Sequence, residues 1–171
     1  MNFKNPLFFI IAFTLLISAC GPHYIVKDYK EIKDGQWYYK DSLVYEFTIS
    51  DTNKVYNLYL DVTHSDTFNF QNVYVKLHTL FPQTQKLDQQ LSLELASKAG
   101  VWNGECSGKT CTALIALQQG TFFNQLGKYK LTIEQFMRTD PVRGINKIGF
   151  LIEKTEVNKS SYLKLKKKKT Q

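Results

Sequence analysis

From Trp37 onward the apolar positions of this chain recur every second residue, the period of a half-buried strand. Tyr45, Phe47 and Ile49 alternate with Glu46 and Thr48 until Asp51-Thr52-Asn53 supplies a turn. Tyr56, Leu58, Leu60 and Val62 alternate with Asn57, Tyr59, Asp61 and Thr63, and a polar stretch over 64–72 interrupts them. Val73, Val75 and Leu77 resume the pattern and end near Phe81-Pro82, where proline removes a ladder donor. Further runs follow at Leu91/Leu93/Leu95, 114–117, Tyr129/Leu131/Ile133 and Ile148/Phe150/Ile152. The residues around Trp102, 99–104, read as a turn-rich insertion, and 118–125 as a turn or short helix. About seven or eight strands at these spacings predict an all-β fold, a single antiparallel β-sandwich of jelly-roll-like form.

The start of the chain follows a different pattern. Lys4 precedes an apolar run of about eleven residues, short of the roughly 20 that span a bilayer. Ser18-Ala19 then stands directly before Cys20, which reads as a lipobox: the Cys20 thiol receives a diacylglycerol and becomes the first mature residue. The sequence thus divides into a lipoprotein signal peptide (1–19), a lipidated tether (20–35), the sandwich (36–156) and a basic, disordered tail (157–171).

Charge refines the last of these. The formal net charge is +7, yet six lysines (159, 164, 166, 167, 168 and 169) lie at the end with no acid among them. Removing these and Lys4 leaves 15 basic residues against 15 acidic ones, so 20–158 is formally neutral. The basicity is a tail. In an exported protein it points to anionic lipid, lipopolysaccharide or an acidic partner rather than to nucleic acid, unless it is a solvated end with no specific role.

With Cys20 committed to lipid, Cys106 and Cys111 remain as an even pair around Ser107-Gly108-Lys109-Thr110. An oxidising compartment favours their closure into a structural disulfide. His23, His64 and His78 are too scattered for a short metal motif and read as surface or strand-end residues. There is no Gly-x-Ser-x-Gly elbow and no phosphate-binding glycine loop, so the sequence nominates no catalytic residue, metal site, cofactor or small-molecule substrate. A hydrolase would need two carboxylates brought together by the fold, and nothing in the spacing says which.

Two segments are candidates for partner contact. Residues 134–145 lie between two strong strands and carry Arg138 and Asp140; the loop around Trp102 is the other. Arg138 and Asp140 either form an ion pair that fixes the crossover or belong to a docking loop with an arginine anchor. Exposed tyrosines such as Tyr59 and Tyr74 offer the alternative of a glycan-binding sandwich of the cell envelope.

The order and spacing of Gly100-Val101-Trp102-Asn103-Gly104, Gly127-Lys128-Tyr129, Gln135-Phe136-Met137-Arg138-Thr139-Asp140, Gly144-Ile145 and Gly149 resemble the gliding-motility lipoprotein GldH family of Bacteroidota. Trp37, Phe47-Thr48-Ile49-Ser50-Asp51, Tyr56-Asn57-Leu58-Tyr59 and Asn72-Val73-Tyr74 agree with it. The chain departs from the family pattern at His64-Ser65 and Phe68-Asn69, and Cys106/Cys111 look like an addition. The resemblance implies a non-enzymatic outer-membrane lipoprotein that supports gliding or type IX secretion through contacts with other envelope proteins, without a cofactor. Gly21-Pro22-His23 carries no acid after Cys20, which points to the periplasmic face rather than the cell surface.

Overall fold

A computed structural model describes residues 21–169, so the expected signal peptide and Cys20 lie outside the described residues. The strands, in chain order, are β1 (Tyr24–Glu31), β2 (Gln36–Trp37), β3 (Leu43–Ile49), β4 (Lys54–Ser65), β5 (Asn72–Leu80) and β6 (Lys86–Glu94). They continue as β7 (Glu105–Ser107), β8 (Thr110–Thr121), β9 (Gly127–Gln135), β10 (Val142–Arg143) and β11 (Ile145–Asn158), followed by helix α1 (Lys159–Lys169).

Two antiparallel sheets pack face to face. One has the order β1-β11-β4-β8-β7 and the other β3-β9-β5-β6, with a minor β10-β2 pair beside them. Leaving out the short β2, β7 and β10, the eight long strands taken in chain order run 1-8-3-6 in one sheet and 2-7-4-5 in the other. That interleaving is the jelly-roll arrangement, and it makes the sandwich expected from the period-two pattern.

The alternation determines which faces meet. Tyr45, Phe47 and Ile49 of β3 and Tyr129, Leu131 and Ile133 of β9 are buried, as are Ile148, Phe150 and Ile152 of β11 and Leu60 and Val62 of β4. Rings are prominent in this core: Phe47 stacks on Tyr129 with centroids 5.3 Å apart and packs against Phe150 at 5.5 Å. The buried Tyr45 hydroxyl and Trp37 indole have the partners that burial requires. The Tyr45 hydroxyl donates to the Ile148 carbonyl at 2.8 Å, and Trp37 Nε1 to the Asp41 carbonyl at 2.8 Å.

Four features differ from the sequence expectation. The tether is not free: β1 pairs with β11 from Tyr24↔Glu153 to Glu31↔Lys147, so the ordered fold begins at Tyr24 rather than at residue 36. Its Lys27, Asp28, Lys30 and Glu31 hide the strand pattern because an edge strand needs only partial burial and is protected by charge. Residues 118–121 belong to β8, not to a turn. Strand β4 runs on into the stretch read as polar, so His64 is the strand-end residue of the two alternatives, but a buried one.

The fourth is the tail, which is helical over Lys159–Lys169 rather than disordered. Its root is held by Lys159 N–H donating to the Asn53 carbonyl at 2.8 Å, and its lysines lie toward the C-terminus, where the helix dipole favours cations.

The register defines two ends of the sandwich. At one end lie 32–42, 66–71, 95–104 and 136–144, here called the Trp102 end. At the other lie 50–53, 81–85 and 122–126, together with the entry into β1 and the start of α1, here called the Tyr24 end.

Candidate functional site

The two loops nominated for partner contact flank the beginning of β5. On one side β5 pairs with β6, Asn72↔Glu94, and the chain leaves β6 into 95–104. On the other it pairs with β9, Val75↔Gln135, and the chain leaves β9 into 136–144. Backbone bonds fasten both loops to β5 and its lead-in: Leu95 and Ala96 N–H donate to the Gln71 carbonyl, and Phe136 N–H to the Tyr74 carbonyl at 2.7 Å. Trp102, Arg138 and Asp140 thus share one end of the molecule.

Their roles there differ. Trp102 is half-buried, with Nε1 donating to the Asp66 carbonyl at 3.1 Å and its ring edge-on to His64, centroids 4.6 Å apart. It closes the loop down on the strand end. Asp140 Oδ1 accepts from Tyr39 N–H at 2.9 Å and from Gln135 Nε2 at 3.5 Å. Arg138 is exposed, and among the described residues it makes no ion pair, with Asp140 or any other acid. The ion pair considered from the sequence does not form; the Asp140 carboxylate instead accepts from Tyr39 N–H at the loop surface.

Gln135, which sequence reasoning passed over, organises this loop from within. It is only 2% exposed; its Oε1 accepts from Met137 N–H at 2.8 Å, and its Nε2 reaches the Thr139 carbonyl at 3.4 Å. A glutamine on the inward phase of β9, next in sequence to Phe136, is the signal that could have found it.

The exposed surface of this end carries apolar and aromatic side chains. Tyr39, Phe70, Tyr74, Val101 and Phe136 are all exposed at this end, Val101 to 66%. The Tyr39 hydroxyl donates to the Met137 carbonyl, and Lys76 Nζ lies 3.9 Å from the Phe136 ring centre. Exposed aromatic residues beside an unpaired arginine have the composition of an interface centre rather than of ordinary surface.

His64 is fully buried beneath Trp102. Its Nδ1 bonds the Ser65 carbonyl at 2.8 Å, so Nδ1 carries the proton, and Nε2 is buried without a partner. Burial pulls its pKa below the ordinary 6.5, outweighing the carbonyl contact that pulls the other way.

Other arrangements are less suggestive. A cavity of about 530 Å³ lies between the sheets toward the Tyr24 end and is lined by Phe47, Phe81, Phe123, Tyr129 and Gln125 among others. Its lining has no carboxylate, imidazole or thiol to move a proton. His78 lies between Asp88 (2.8 Å) and Glu134 (3.6 Å) on the outer surface of the β5 sheet. No group of three or more His, Cys, Asp or Glu among the described residues could hold a metal ion. Tyr59 and Tyr74 belong to different sheets, and the Tyr59 hydroxyl is engaged by Glu153 at 3.1 Å, so the two do not form one stacking platform. The Cys106 and Cys111 sulfurs are bonded across the β7–β8 hairpin, with Cys111 buried.

Comparison with known proteins adds the family. The model of the GldH lipoprotein family matches residues 24–152, from the start of β1 nearly to the end of β11. A gliding motility lipoprotein GldH homolog of Christiangramia forsetii is 28% identical over 157 residues, covering 86% of this chain and 95% of that protein. The gliding motility lipoprotein GldH of Flavobacterium johnsoniae is 25% identical over 164 residues, covering 91% and 100%. Among solved structures, the Eiger TNF of S. frugiperda overlaps 77% of this chain and 92% of its own at a TM-score of 0.30 and 10% identity, too distant to bear on function.

Proposed function

Because the chain belongs to the GldH lipoprotein family, we propose that it is a non-enzymatic gliding-motility lipoprotein that works by holding other envelope proteins at its Trp102 end. In this reading Cys20 carries the acyl anchor in the outer membrane, on the periplasmic face, and the partners are components of the gliding and type IX secretion machinery.

The observation that carries the reading is the separation of the two ends. The anchor precedes Tyr24, where the chain enters the sandwich, whereas Arg138 and the exposed aromatic residues gather at the opposite end. An anchored sandwich of this kind presents its docking end away from its attachment. Arg138, Phe136 and Tyr39 would contact a partner directly, Asp140 and Gln135 would hold the loop that carries Arg138, and Trp102 would hold the neighbouring one.

The test is complementation of a strain lacking the gene, scored by colony spreading and by secreted protein. The wild-type chain restores both. Arg138→Ala with Phe136→Ser restores neither, although the variant accumulates normally and melts like the wild type. Full restoration by that double variant would refute the reading.

A further inference from the structure

The Tyr24 end has a surface of its own, to which helix α1, beyond the end of the family match at residue 152, is added. The His23 carbonyl accepts from Lys154 N–H at 2.9 Å, which fixes the entry of the chain here. Cys20 is four residues before Tyr24, a reach of at most about 14 Å. Any acyl chain on Cys20 is therefore held close to this end.

Helix α1 starts at the same place. Lys159 N–H bonds the Asn53 carbonyl at 2.8 Å, its Nζ bonds Asn124 Oδ1 at 2.9 Å, and that ammonium lies 4.1 Å from the Phe122 ring centre. One turn on, Tyr162 rests on Gly120, whose φ of +64° and contact with the phenol leave no room for a side chain. The root of the helix is thus tied to β4, β8 and the 122–126 loop.

Beyond that root the charge is one-sided. Lys164, Lys166, Lys167 and Lys168 are exposed, and the sequence has no acid after Glu156. The nearby acids are already engaged, Asp51 by Lys154 at 3.0 Å and Glu156 by Lys54 at 3.6 Å. Apolar side chains accompany the lysines: Leu126 is 59% exposed, Leu165 58% and Leu163 39%. The lysines supply the attraction to anionic headgroups, and Leu163 and Leu165, two residues apart and so not on one apolar face, add a smaller apolar contribution.

We propose that the Tyr24 end lies on the membrane, with α1 binding the anionic phospholipid surface as a second attachment beside the acyl chain. The proposal rests on the lipid anchoring put forward above for its setting and adds an orientation to it. A single acyl tether leaves the sandwich free to tumble, whereas a tether plus a basic helix directs the Trp102 end away from the bilayer.

The experiment removes the anchor so that only the helix is tested. The chain from position 20 onward, carrying Cys20→Ser, is co-sedimented with phosphatidylcholine vesicles with and without phosphatidylglycerol. It binds the phosphatidylglycerol vesicles and is released by salt. Replacing Lys164, Lys167 and Lys168 by Gln weakens binding about a hundredfold, on the scale of roughly fivefold per near-surface lysine. Leu165→Ser weakens it by a smaller factor, and neither variant shifts the melting curve of the sandwich. The proposal is overturned if the wild type ignores phosphatidylglycerol, if the triple variant binds undiminished, or if the chain binds soluble polyglutamate but not vesicles. Fatty-acid labelling of Cys20 in cells is read separately, so failure of the anchor and failure of the helix are told apart.

Discussion

Trp102 packs edge-on against His64 with ring centres 4.6 Å apart, and through Nε1 it is bonded to the Asp66 carbonyl. The indole seals a buried imidazole whose Nε2 has no partner. This contact joins the end of β4 to the loop after β6, and it makes the Trp102 end sensitive to acid.

The sign follows from the direction of the shift. His64 titrates below its ordinary 6.5 in the folded protein, so below that pH the unfolded chain binds the extra proton. Its contribution is fully present above about pH 6.5 and is lost as pH falls toward and through the folded pKa. The melting temperature is therefore lower at pH 5 than at pH 7.5, and His64→Phe flattens that difference. Trp102→Ala opens the imidazole to water, brings its NMR titration back toward the ordinary value and costs about 2 kcal/mol of stability.

Gln135 holds the Arg138 loop by three contacts, to Met137 N–H, the Thr139 carbonyl and Asp140. Gln135→Leu removes the partner of the half-buried Met137 N–H and the longer contacts to the exposed Thr139 and Asp140, and costs about 1 kcal/mol. Amide exchange at 136–140 accelerates in the variant more than exchange in the core of β9. Equal acceleration throughout β9 would show that the glutamine serves the sheet and not the loop.

Reduction of Cys106–Cys111 opens a hairpin of short sequence separation, so the loss is modest. Chain-entropy arithmetic for a loop of this length gives about 2 kcal/mol, visible as a lower denaturant midpoint after thiol treatment. Asp66 N–H donates to the Lys109 carbonyl at 3.0 Å and His64 pairs in register with Cys111, so reduction also loosens the seat of Trp102.

The core strands were legible in the sequence because their two faces differ. Tyr45/Phe47/Ile49 and Tyr129/Leu131/Ile133 alternate cleanly, and those are the positions that the structure buries. Strand β1 was not, since an edge strand carrying Lys27, Asp28, Lys30 and Glu31 has the composition of a linker. The tail was misread for a related reason. Like charge argues against order, but the contacts of Lys159 and Tyr162 that fix the helix root are with residues distant in sequence.

Of the candidate site, the sequence supplied Trp102, Arg138 and Asp140 as separate loop residues. It did not supply their meeting at one end, which depends on β5 lying between β6 and β9. Nor did it reveal that Asp140 bonds Tyr39 N–H rather than Arg138, because Tyr39 is 101 residues away in sequence and meets the loop only in the fold.

The most direct measurement is a crosslinked pull-down of the full-length protein from envelope membranes, comparing wild type with Arg138→Ala. Arg138 is exposed and makes no ion pair among the described residues, so its removal changes stability by no more than about 0.5 kcal/mol. An arginine at the centre of an interface contributes about 2 kcal/mol or more, a loss of at least roughly thirtyfold in affinity. The account predicts that gliding or secretion components co-purify with the wild type and are lost from the folded variant. Equal recovery with both proteins, or no such component with an abundant wild type, would contradict it.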